Sequence, residues 1–128
     1  MDTNILPFAT MTVGGVTYRL KITAQAAIEF EKKVGTSIPR AWVRLDEIQI
    51  QAEIIHAALK AYNSGIGFDE ALDVIDRFIA EGNCIEDLMD IIKEIYIVSG
   101  FMKRAPTPAS SEADPEENSE ETTDKSLA

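Results

Sequence analysis

The chain has 128 residues, 45% of them apolar, which suits one domain with a modest core. Its formal net charge is -10 and is unevenly spread: residues 1–104 carry 15 acidic and 11 basic side chains, while 105–128 carry seven acidic and one basic. This balance argues against a nucleic-acid surface, which needs clustered Lys and Arg to replace counterions, and a single cysteine, Cys84, excludes an internal disulfide framework.

Residues 1–10, MDTNILPFAT, are interrupted by Pro7 and read as an arm or an added edge strand. From Met11 to Ile22 the pattern is a β-hairpin. Val16, Tyr18, Leu20 and Ile22 alternate with Thr17, Arg19 and Lys21, the period of two that lays one strand face on a core. Gly14 and Gly15 supply the positive φ angles of a two-residue turn. The period then lengthens. Thr23 offers a helix N-cap, Ala27, Phe30 and Val34 share one face, and Gly35 suits a left-handed stop. A lone hairpin is marginal in water, so the helices that follow are expected to cover its apolar face.

In TSIPRAWVRLDE the residue Pro39 and the lack of a period predict a loop or a short helical turn, with Trp42 plugging the edge of the core in preference to stacking on a ligand. Ile48 to Tyr62 predicts the central helix. Ile48, Ala52, Ile55, Leu59 and Tyr62 form one apolar stripe and Ile50, Ile54, Ala57 and Ala61 another, leaving a narrow polar strip of Gln49, Glu53, His56 and Lys60. Phe68 to Glu81 predicts a further helix with Leu72, Ile75 and Ile79 inward and Gly82 as its stop. Asn83 and Glu86 resemble a capping box for the last helix, from about Cys84 to Ser99. Leu88, Ile91, Ile92 and Ile95 serve its core face. Its end, Tyr96, Ile97, Val98, Phe101 and Met102, is apolar nearly all round, more than one core face requires. From Ala105 the composition turns to Pro, Ser, Thr, Glu and Asp, which cannot offset the entropy of ordering, so disorder is expected there.

The reading is thus an α+β fold, mainly helical with about four helices, organised as an arm (1–10), one globular domain (11–104) and a disordered acidic tail (105–128). No apolar run approaches the roughly 18 residues of a membrane span and no signal-peptide pattern opens the sequence, so a cytoplasmic location is expected.

Chemical motifs are sparse. The sequence holds no phosphate-cradling glycine loop followed by Lys, no His and Cys cluster at metal spacing and no nucleophile elbow. His56, the one histidine, reads as a residue of a solvated helix face. Cys84 could gain a lowered pKa at a helix start, yet its acidic neighbours favour a plain structural thiol. Asp69, Glu70, Asp73 and Asp76 lack the alternating ligands and turn glycine of a calcium loop, so they read as a solvated face. The expectation is therefore no catalytic, cofactor or metal site.

Two runs are more specific. GGVTYRLKITAQAAIEFEKKVGTSI resembles the opening of the tail assembly chaperones of long-tailed phages and prophages, where a hairpin leads into a helix of the type AIxxFEKxxGxSI. FDEALDVIDRFIAEG followed by CIEDLMDIIKEIY is similar to the second half of the same proteins, so the likeness covers about residues 11–102. It implies a non-enzymatic protein of the host cytoplasm, absent from the mature virion, that binds the apolar helical tape measure protein, keeps it soluble and helps bring tail tube subunits to it. Many such proteins also have a frameshifted longer form. The apolar helix end offers a client surface in Tyr96, Ile97, Phe101 and Met102, with the acidic tail keeping the assemblies in solution through charge repulsion. The alternative for those four side chains is completion of the core or a homo-oligomer contact. At the level of function, the alternatives are a small oligomeric regulatory or antitoxin-like module and, remotely, an enzyme using His56 or the 69–76 carboxylates.

Overall fold

The computed structural model describes residues 6–104; the expected disorder of 105–128 and the first half of the arm lie outside the described residues. Among the described residues the fold is α+β and mainly helical, a two-stranded antiparallel hairpin followed by five helices. Strand β1, Ala9–Val13, pairs with β2, Val16–Leu20, in a register running from Val13↔Val16 to Ala9↔Leu20. Gly14 and Gly15 have φ of 60° and 79°, the turn the two glycines predict. The strand begins at Ala9, inside the expected arm.

Burial on the hairpin is asymmetric. Ala9, Met11 and Val13 of β1 are buried, whereas across the ladder only Leu20 is buried and Val16 is 52% exposed. The alternation expected of β2 therefore seals only Leu20 and the following Ile22, while Tyr18 packs against the core half-buried. The cover is placed unevenly: two later helices pack on β1, and the central helix is the main neighbour of β2.

Helix α1, Ala24–Val34, starts where the Thr23 hydroxyl accepts the Ala26 N–H at 3.2 Å and stops at Gly35, φ 86°. It buries Ala26 and Phe30, with Ala27 and Val34 half-buried. The expected loop then contains a short helix, α2, Ile38–Ala41, capped by the Ser37 hydroxyl on the Arg40 N–H. Pro39 sits in its first turn, where a missing N–H costs nothing, and a 3-10 turn at Trp42–Arg44 completes the corner.

Helix α3, Ile48–Leu59, is central and touches α1, β2 and both helices that follow. Ile50, Ile54, Ile55, Ala57, Ala58 and Leu59 are buried, while Ile48 and Tyr62, at the ends of the expected stripe, are exposed, Tyr62 with its ring edge-on to Phe8. Helix α4, Phe68–Ala80, corrects the predicted face: Ala71, Val74 and Phe78 point inward, Leu72 and Ile75 are half-buried, and Ile79 is 36% exposed. Apolar residues occupy two adjacent rows of this helix, and the row carrying the bulky Phe78 takes the core. Helix α5, Ile85–Val98, is capped one residue later than predicted, by Cys84, whose N–H donates to Asp87 Oδ2 at 2.8 Å. Asn83 instead donates its side-chain amide to the Phe78 carbonyl and closes α4.

Candidate functional site

The candidate docking surface is built at the end of α5 by a helix stop that the sequence reading missed. Gly100 adopts φ 88°, its N–H donates to the Ile97 carbonyl at 3.1 Å, and the Phe101 N–H reaches back to the Tyr96 carbonyl at 2.8 Å. These two bonds form the Schellman motif, which brings the side chain two residues past the cap onto the third residue before it. Phe101 accordingly packs edge-on against Tyr96, ring centroids 6.1 Å apart. The signal was present in the sequence as Gly100 followed by a large apolar residue. Arg104 then grips Glu94 through two hydrogen bonds, 2.6 and 3.2 Å, which returns residues 100–104 along α5.

The four proposed client residues divide. Tyr96 is a correction: it is 1% exposed, its hydroxyl donates to the Ile38 carbonyl at 2.5 Å, and its ring also meets Trp42 edge-on at 5.0 Å. Burial pushes its phenol up to about 12. Tyr96 is thus the core pillar under this end of the molecule, with no surface to offer. Ile97, Phe101 and Met102 are half-buried and form the rim around it, Phe101 and Met102 packing on the core, as does Trp42 in the plugging position expected of it. Val43, beside Trp42, is 83% exposed, an apolar side chain at this corner that no periodicity singled out.

The polar strip of α3 is not the solvated face the sequence predicts. Glu53 is 5% exposed and pairs with Lys33 of α1 at 3.0 Å, and the Lys33 ammonium lies 4.3 Å from the centroid of the Phe68 ring. His56 is half-buried; its Nε2 lies 3.0 Å from the Ile66 carbonyl, so that nitrogen carries a proton, and its ring meets Phe68 edge-on. Lys60 holds Glu29 at 2.9 Å. These pairs line a recess of about 120 Å³ between α1 and α3. Their role visible in the structure is to tie α1 and the 61–67 loop to the central helix.

Cys84 is exposed and its thiol donates to the carboxylates of Glu86 and Asp87 at 3.5 and 3.3 Å. Of the α4 carboxylates, Glu70 caps its own helix by accepting the Gly67 N–H at 2.7 Å. Among the described residues no group of three His, Cys, Asp or Glu side chains is placed to hold a metal ion, and no helix is long and apolar enough to cross a membrane. Compared with known protein families, curated proteins and solved structures, the chain matches none.

Proposed function

We propose that this chain is a tail assembly chaperone of a long-tailed phage or prophage. It acts in the host cytoplasm without entering the mature virion, binds the tape measure protein, keeps it soluble and helps bring tail tube subunits to it. The observation that carries the reading is the wording of two runs, GGVTYRLKITAQAAIEFEKKVGTSI and FDEALDVIDRFIAEG with CIEDLMDIIKEIY.

Physical support comes from the α5 end. An apolar helical client needs an apolar surface that the chaperone's own fold can spare, and Ile97, Phe101 and Met102 are half-buried around a fully seated Tyr96. Such a rim is held in place by the core yet still reaches solvent, and the methionine can adapt to varied partner shapes. Client binding at this rim requires no bond to be made or broken.

The test is co-expression with a tape measure protein, followed by its soluble fraction and its capture. Ile97→Asp with Phe101→Asp, shown by circular dichroism to retain helicity, is expected to weaken capture about tenfold or more, since an apolar client would have to desolvate two introduced carboxylates at a cost on the order of 1 kcal/mol or more each. Unchanged capture removes this rim from the proposal. Failure of the unaltered chain to hold any tape measure protein in solution removes the chaperone reading itself.

A further inference from the structure

Helix α4 carries a second apolar row that the core does not consume. Phe68, Leu72, Ile75 and Ile79 succeed one another at steps of four, three and four, the spacing of a helix-packing seam. Successive helical residues are turned by about 100°, so the residues just before the last three, Ala71, Val74 and Phe78, form a row on one side of the seam, and these are the ones the core buries. Phe68 is held by the His56 ring and the Lys33 ammonium. Leu72 and Ile75 stay half-buried and Ile79 is exposed, so the seam runs from the edge of the core out to solvent.

The other side of the seam is acidic. Asp69, Asp73 and Asp76 follow Phe68, Leu72 and Ile75 directly, which turns them about 100° away from the core row, and all three are exposed. None of them makes a hydrogen bond or an ion pair with a described residue. The remaining charges of the helix do not neutralise this row. Glu70 is taken by the Gly67 N–H. Arg77, the one cation of α4, stands at the hairpin turn, its Nη1 3.8 Å from the place a Cβ on Gly14 would take, close to the Glu81 carboxylate that accepts the Gly14 N–H.

An apolar seam beside unpaired carboxylates selects its partner. An amphipathic helix sets anchors at steps of three and four into such a seam, and Lys or Arg next to those anchors meets the carboxylates. A second copy of this chain is the poorer occupant, because its seam brings three more acids and no base. We propose that the face of α4 formed by Phe68, Leu72, Ile75 and Ile79 docks a basic amphipathic helix of another protein, with Asp69, Asp73 and Asp76 drawing it in and fixing its register. This inference does not rest on the chaperone reading, because the face lies on a different helix from the Ile97, Phe101 and Met102 rim and asks only for the partner's helix chemistry.

The probe is a synthetic helix of about 14 residues, with Leu at alternating steps of three and four, Lys after each Leu and Ala elsewhere. Added to the isotope-labelled full chain at about 0.05 M salt, where screening is weak, it is expected to shift the amide signals of residues 68–80. Asp69→Asn with Asp73→Asn and Asp76→Asn, three exposed positions whose change spares the core, is expected to weaken binding about tenfold, a difference mostly lost at about 0.5 M salt. Ile79→Gln is expected to weaken it at both salt concentrations, and the same peptide with Glu in place of Lys is expected not to bind. Absence of binding, equal affinity for the variant with three Asn, or shifts centred outside residues 68–80, those beyond Arg104 included, overturns the proposal. So do concentration-dependent shifts of 68–80 without peptide, since they assign the seam to a second copy.

Discussion

Tyr96 shows how one side chain can look like a docking residue and act as a core residue. Its ring fills the space between Trp42 and Phe101, and its hydroxyl satisfies a buried carbonyl of α2. The phenol stays neutral in the fold up to about 12, against an ordinary value near 10 in the unfolded chain. Above about pH 10 the unfolded state therefore loses its proton while the folded state keeps it, so stability falls from there and levels off once the folded phenol ionises too. Denaturant midpoints measured from pH 8 to 12 should fall more steeply for the unaltered chain than for Tyr96→Phe. At neutral pH that variant should be about 1–2 kcal/mol less stable, because the Ile38 carbonyl loses its partner in a buried place. Gly100 makes a sharper backbone demand: at φ 88° a Cβ is strained although it meets nothing within 4 Å. Gly100→Ala should cost about 1–2 kcal/mol in thermal or denaturant melts and loosen the Phe101 contact.

Between elements, the decisive contacts join α1 to α3 and start α5. Lys33 is half in water, but its partner Glu53 is buried, so the pair is asymmetric. Lys33→Met should destabilise by about 1–3 kcal/mol, most of it the burden of a buried carboxylate without its cation, and Glu53→Gln in the same chain should recover part of that loss. A double-mutant cycle in urea measures both. At α5 the Asp87 carboxyl is held below its usual range by the Cys84 backbone N–H first and the Cys84 thiol second. A depressed folded value contributes stability above the unfolded pKa and loses it as pH falls through the folded one. Amide exchange in the first turn of α5 should accordingly be faster in Asp87→Ala than in the unaltered chain near neutrality, and the two should converge in acid.

For the whole molecule, the acidic excess is densest at one end of the sequence. The described core holds the rim at the α5 end, while seven of the 22 carboxylates sit beyond Arg104. In the proposed chaperone this distribution opposes aggregation of client complexes by repulsion. Replacing those seven with their amides should raise light scattering of chaperone and client at low salt while leaving the melting temperature of the fold nearly unchanged.

What the sequence by itself determined is local. Gly14 and Gly15 fix the turn, Thr23 and Gly35 bound α1, and the density of apolar residues from Ile48 to Leu59 marks the central helix, because each depends on backbone chemistry or spacing within a few residues. Which apolar side chains are sealed was decided by tertiary structure. Val16 and Ile48 stand exposed because no neighbour extends over them, α4 turns toward Phe78 and away from Ile79, and Tyr96 is buried because α2 places a carbonyl opposite its hydroxyl. Periodicity names a face, but burial depends on what lies across from it, and that partner is distant in the chain.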